Sequence, residues 1–188
     1  SNADCYNGLA GEDIDNMVEH SKNMLNILYN LKEPVPQEYK QINKKYGGLA
    51  LEKFNIISSQ FTFHYYFKNE STFDGVMQNI KNNIAKGGYF IGCCYDGSKV
   101  FEALKSGKLE FKEANGSLIY SIEKKYDIED FTYNPEDTSN MLGQQIDVFM
   151  ESIGQVIPEY LINFKFFRNY METNGFKLLS PNVGSKYN

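Results

Sequence analysis

Gln60, Phe61, His64 and Tyr65 fall within six residues of one another in the run Phe54-Asn55-Ile56-Ile57-Ser58-Ser59-Gln60-Phe61-Thr62-Phe63-His64-Tyr65-Tyr66-Phe67. They offer an amide, an imidazole and aromatic rings, groups that hydrogen-bond and stack. Neither Gly nor Pro interrupts the run, so it does not read as an ordinary turn. Phe54 to Ser59 reads as a short, fully buried parallel strand, and in open α/β sheets ligands sit just beyond the carboxyl ends of such strands. That makes 60–67 the leading candidate site.

The elements around this run have to hold it in place. Ile14, Met17, Val18, Leu25 and Leu28 recur at helical spacing and predict an amphipathic helix over 13–31, closed by Pro34 and Pro36. A shorter helix is expected from Pro36 to Tyr46, ended by Gly47-Gly48. Ser71-Thr72-Phe73-Asp74 resembles a capping box for a helix carrying Phe73, Val76, Met77, Ile80 and Ile84, with Gly87-Gly88 as its stop. Tyr89 to Tyr95 then reads as a second buried strand, and Asp96-Gly97-Ser98 opens a further helix to about Lys105. Strand and helix alternating on short connections predict a parallel sheet. After Gly107 the pattern changes: Asn115-Gly116 between two alternating segments is a strong hairpin signal, so an antiparallel β insertion is expected. A short strand is expected at 131–133 and another at 146–150. Pro158-Glu159-Tyr160-Leu161 should lead into a helix bearing Phe164, Phe167, Tyr170 and Met171, and Phe176 to Leu179 should form a last strand.

Bulk properties limit the function classes. The 188 residues, 41% hydrophobic and 15% aromatic, suit one globular domain over 4–188, with Ser1-Asn2-Ala3 as the remnant of a cleaved tag. No apolar run approaches the ~20 residues of a membrane-spanning helix, and a soluble intracellular protein is expected. The net charge of −5 argues against extended contact with a nucleic-acid backbone, though not against a short terminal piece of one. Cys5, Cys93 and Cys94 form neither a disulfide framework nor a CxxC pair, and with only His20 and His64 no metal site is expected.

Three segments together resemble the messenger RNA cap guanine-N7 methyltransferases, including those fused into viral capping enzymes. The run Phe54 to Phe67 is similar to the family's F-D-I-x-S-x-Q-F-x-x-H-Y-x-F. Gly87-Gly88-Tyr89-Phe90-Ile91-Gly92 followed by Asp96-Gly97 is the second segment, and Pro158-Glu159-Tyr160-Leu161-Ile162, like P-E-Y-L-V, is the third, with Asn174-Gly175-Phe176 downstream. The resemblance implies the C-terminal portion of a class I, Rossmann-like S-adenosylmethionine-dependent α/β methyltransferase fold. It implies methyl transfer from S-adenosylmethionine to N7 of the guanine at the capped 5′ end of mRNA. Phe61 would pack on the guanine, His64 would hydrogen-bond its edge, and Glu159 would accept its protons. Gln60 would line the cofactor site, and Tyr65 would lie between cofactor and base. Asp4, in Asp4-Cys5, would meet the cofactor's adenine, with Asp13 the alternative acidic position. No residue is expected to act as a general base.

The sequence also departs from the family. A glycine-rich first loop and the strand before it are not found, nor are the last strands with their further cap-closing aromatic. Tyr66 stands where a small residue is usual, and Cys93-Cys94-Tyr95 replaces a Thr-containing turn. The expectation is therefore a partial domain with about half the cofactor site, inactive alone, whose parent works with other capping-enzyme domains or subunits. The parent would act in the nucleus if eukaryotic, or in the host cytoplasm or a viral factory if viral. The alternatives are a non-catalytic module that binds cap guanine, or a methyltransferase for another substrate. Glu159 also has a structural reading, as a cap for the helix after it.

Overall fold

The computed structural model describes residues 12–31 and 33–179, with side chains from residue 18 onward. Asp4 lies outside the described residues, as do Cys5 and the polar tail from Pro181. The chain divides into two compact units, 1–59 with 74–92 and 60–73 with 93–188.

In the first unit, helix α1 (Glu12–Tyr29) and helix α2 (Lys40–Tyr46) form where the apolar spacing and prolines place them, with a 3-10 turn at Gln37–Tyr39 between. Ile27 is buried in α1. Asn26 closes the chain back on the helix, bonding the backbone of Glu33 through both ends of its amide, at 3.0 and 3.3 Å. Strand β1 (Phe54–Gln60) pairs with strand β2 (Ile84–Cys93) in a two-stranded sheet, and helix α3 (Glu70–Asn83) connects them. Gly88 lies against the Asn55 carbonyl and Gly92 against that of Ser59, so the contacts advance together along both strands and the two run parallel.

Three expectations change here. The first strand, expected to be buried, is largely exposed. Phe54 and Ile56 from β1 and Tyr89 and Ile91 from β2 are all open to solvent, because among the described residues each strand has only the other as a neighbour. Gly87-Gly88 does not stop the helix. α3 ends at Asn83, and both glycines belong to β2, where a Cβ on Gly88 would lie 2.9 Å from the Asn55 carbonyl oxygen. The capping box forms two residues earlier than expected. Asn69 Oδ1 accepts from the Thr72 amide at 2.9 Å, while Thr72 Oγ1 faces the Asn69 amide at 3.3 Å.

In the second unit the Asn-Gly hairpin forms as expected, from β3 (Lys108–Lys112) and β4 (Leu118–Lys124). It does not stand as a separate insertion. β5 (Gln145–Met150) and β6 (Gln155–Tyr160) continue it as one antiparallel sheet ordered β3-β4-β5-β6. Pro158 and Glu159 therefore lie in a strand, with Asp147 opposite Pro158 and Ile146 opposite Glu159. Pro158 is tolerated because β6 is an edge strand, where a missing N–H costs no ladder bond. Helix α4 (Gly97–Ala103) follows β2, and helix α5 (Phe164–Thr173) follows β6. Phe176–Leu179 is irregular, as is the stretch around 131–133; neither expected strand forms.

The core of this unit is aromatic. Phe67 is fully buried, with Phe63, Phe73 and Phe166 around it at centroid distances of 5.7, 5.0 and 6.4 Å. Burying such a ring contributes about 1.5–3 kcal/mol. The architecture is mixed α/β, with a parallel β-α-β pair and an antiparallel sheet, consistent with a class I methyltransferase fold.

Candidate functional site

The chain leaves β1 at Gln60 and enters a 3-10 segment, Phe63–Lys68. Two features shape that exit. Phe61 has φ of 51°, a left-handed conformation rarely taken by an aromatic residue. Its amide donates to the Cys93 carbonyl at 2.9 Å, which holds the bend to the end of β2. The Phe61 side chain is 69% exposed. Backbone strain of this kind persists only where surrounding contacts impose it.

Beyond the bend, the 3-10 segment turns alternate faces. Phe63 and Phe67 enter the aromatic core and anchor the segment, which carries His64 and Tyr65 beside β6. His64 is only 4% exposed. Among the described residues neither of its ring nitrogens has a hydrogen-bond partner. Its Nε2 lies 3.6 Å from Glu159 Oε2, too far for a hydrogen bond. Burial lowers the imidazole pKa from 6.5 to about 4, so His64 is neutral at neutral pH with one N–H and one lone pair to offer. Glu159, whose side chain is 15% exposed, has its carboxyl pKa raised by burial, with the nearby Tyr95 hydroxyl opposing that rise.

Aromatic rings wall the pair. Tyr65 meets His64 at a centroid distance of 4.2 Å and 60°, and Tyr95 stacks on it at 5.3 Å and 23°. The Tyr95 hydroxyl donates to the Tyr160 carbonyl at 2.9 Å. Burial and then the charge of Glu159 raise the Tyr65 pKa, and the same two causes lead for Tyr95, so both phenols keep their protons. The helix-cap reading of Glu159 is set aside by the geometry. Asn163 caps α5, its Oδ1 accepting from the Phe166 amide at 3.1 Å, while Glu159 stands in β6 and faces His64.

Gln60 stands at the carboxyl end of β1, where its Oε1 accepts from Cys93 Sγ at 2.8 Å. The structure thus gathers His64, Tyr65 and Glu159, holds Phe61 and Gln60 at the strand end, and adds Tyr95, which the sequence marks as the end of a strand and as part of the Cys93-Cys94-Tyr95 departure from the family. Its signal was available: Tyr95 follows the second parallel strand directly, where such sheets carry their ligand groups.

A neutral donor-acceptor ring beside a carboxylate, with aromatic faces around them, suits the edge of a flat heterocycle that alternates acceptor and donor. The sequence profile of the mRNA (guanine-N(7))-methyltransferase domain matches residues 30–187. The chain belongs to that family. It is 27% identical over 140 residues to the mRNA cap guanine-N(7) methyltransferase of Candida glabrata, covering 70% of this chain and 33% of that protein. The Saccharomyces cerevisiae protein of the same name is 25% identical over 148 residues, covering 74% and 34%. A probable mRNA-capping enzyme of Acanthamoeba polyphaga mimivirus is 28% identical over 159 residues, covering 79% of this chain and 13% of its own length. The chain thus spans about a third or less of these relatives.

Enzymes of this family use S-adenosylmethionine. The amide of Gln60 at the carboxyl end of β1 and the partly exposed phenol of Tyr65 in the segment beyond it are polar groups of the kind that such a ligand would need. Among the described residues no cluster of His, Cys, Asp or Glu could hold a metal ion, and no helix is long and apolar enough to cross a membrane.

Proposed function

We propose that this chain carries the guanine-recognition side of an mRNA cap guanine-N7 methyltransferase, whose parent transfers a methyl group from S-adenosylmethionine to N7 of the cap guanine. The observation that carries the reading is His64: buried, neutral, without a hydrogen bond on either nitrogen, and beside a buried carboxylate. Leaving such a group unsatisfied costs about 1–3 kcal/mol, which a bound ligand would return. Guanine's edge has an acceptor at O6 next to donors at N1 and N2. His64 donates to O6, Glu159 accepts from N1 and N2, and Phe61 and Tyr65 lie on the ring faces.

Guanine N7 is nucleophilic and has no proton to lose, so this chain needs no general base. Its contribution is alignment, and holding reactants in attack geometry can be worth about 7–11 kcal/mol. The base becomes cationic as the methyl arrives, and the carboxylate of Glu159 with the surrounding rings favours that charge. Gln60 and Tyr65, with Asp4 on the resemblance, would hold S-adenosylmethionine. When bound, that cofactor supplies a methyl group activated on a sulfonium. The partners are the capped 5′ end of mRNA and other capping-enzyme domains or subunits, in the nucleus or, for a viral parent, the host cytoplasm.

Tyrosine fluorescence titration with the cap dinucleotide GpppG, with and without S-adenosylhomocysteine, tests this. Saturable GpppG binding strengthened by S-adenosylhomocysteine is expected. Binding indifferent to it favours a cap-binding module without catalysis, and no GpppG binding refutes both.

A further inference from the structure

We propose that Tyr95 is a positioning residue for guanine recognition: its ring sets the plane of His64, and its hydroxyl ties that ring to the strand carrying Glu159. The inference rests on the cap-guanine reading above. A histidine that must present one nitrogen to a ligand is ordinarily oriented by a hydrogen bond on the other. His64 has none among the described residues, where both its nitrogens lack partners. What fixes its rotation is ring packing, with Tyr65 tilted against one side and Tyr95 nearly coplanar at 23°.

Tyr95 is itself held firmly. The next residue, Asp96, caps α4 by accepting from the Ser98 and Lys99 amides at 3.1 and 3.2 Å. Gly97 presses so closely on the segment after β6 that a Cβ there would lie 2.3 Å from the Ile162 carbonyl oxygen. The Tyr95 backbone is thereby clamped to the same segment its hydroxyl reaches. That hydroxyl donates to the carbonyl of Tyr160, the residue next to Glu159, and also interacts with the Glu159 carboxylate. One side chain thus touches both halves of the recognition pair, the imidazole through its face and the carboxylate's strand through its oxygen. O6 and N1 are neighbours on guanine, so donor and acceptor must keep a fixed spacing to engage both. Tyr95 holds the 3.6 Å between them.

The test titrates the 188-residue chain and its Tyr95→Phe and Tyr95→Leu variants with GpppG and ApppA, with circular dichroism and thermal melting as folding controls. Wild type prefers GpppG. Tyr95→Phe keeps the stack and loses the tie, so GpppG affinity falls about 3–10-fold, as expected for one hydrogen bond, while ApppA affinity is unchanged. Tyr95→Leu loses both contacts and erases the preference. If either folded variant keeps the wild-type ratio, or loses affinity for both dinucleotides equally, the positioning role is overturned. Should Tyr95→Leu fail to fold, Tyr95→Phe alone decides. A wild-type chain that binds neither dinucleotide overturns instead the cap reading beneath it.

Discussion

Replacing Glu159 with Gln separates a binding carboxylate from a structural one, because the two roles predict opposite signs. In the free protein Glu159 is a mostly buried carboxyl whose pKa is raised by burial, so its ionised form is less favourable in the folded chain than in the unfolded one. The folded state holds the proton more tightly. By linkage, stability from this group is greatest at low pH and falls as pH rises from the ordinary carboxyl value through the raised one. A glutamine has no charge to bury, so Glu159→Gln should leave the thermal midpoint at pH 7.5 unchanged or higher. Its effect on the ligand is the reverse. In the proposed pairing the carboxylate accepts two guanine N–H groups, whereas the amide would turn a donor towards at least one. Charge-assisted bonds of this kind contribute about 1.5–3 kcal/mol, so GpppG affinity should fall roughly 10–150-fold. Fluorescence titration gives the affinity and differential scanning fluorimetry the midpoint. A variant that binds GpppG within threefold of wild type but melts earlier would show Glu159 to be a structural residue and refute the reasoning.

The remaining predictions concern its neighbours. Phe61→Gly relieves the left-handed strain at φ 51°, so stability should hold or rise slightly, by up to about 1 kcal/mol, while loss of the stacking ring should cost about 1–3 kcal/mol of GpppG binding; unchanged binding would make Phe61 a bystander. His64 is held neutral by burial, with its pKa lowered to about 4. The unfolded chain therefore takes up the proton first, and stability from this site should be intact above pH 6.5 and lost as pH falls towards 4. His64→Gln should flatten that part of an acid-unfolding profile, and an unchanged profile would contradict the burial. Phe67→Ala empties the centre of the aromatic cluster that anchors the 3-10 segment and should cost about 3–5 kcal/mol in urea unfolding.

Local signals were readable in the sequence and long-range ones were not. The Asn115-Gly116 hairpin, the helices and the strand at Phe54 depend on nearby residues, and they form as their spacing implies. Gly87-Gly88 was misread because a glycine pair looks the same whether it stops a helix or lets two strands approach, and only the Asn55 carbonyl opposite Gly88 separates the two cases. The exposure of β1 was hidden for a similar reason, since an apolar run reports what a strand would bury and not which neighbours it has. His64, Tyr65 and Glu159 were named from motifs nearly a hundred residues apart, and the fold sets the histidine beside the carboxylate. The place of Tyr95 just past a parallel strand is legible in the sequence, but its ring plane against His64 and the direction of its hydroxyl towards Tyr160 are not encoded by residue spacing.

The parallel pair of β1 and β2 has a practical consequence for handling the protein. Phe54, Ile56, Tyr89 and Ile91 present an apolar surface to water on strands whose outer edges are unpaired among the described residues. Such surfaces lower colloidal stability and invite edge-to-edge aggregation. Sample concentration and ionic strength thus become experimental variables: light scattering should show self-association growing with concentration, and titrations belong in the dilute regime where scattering is flat.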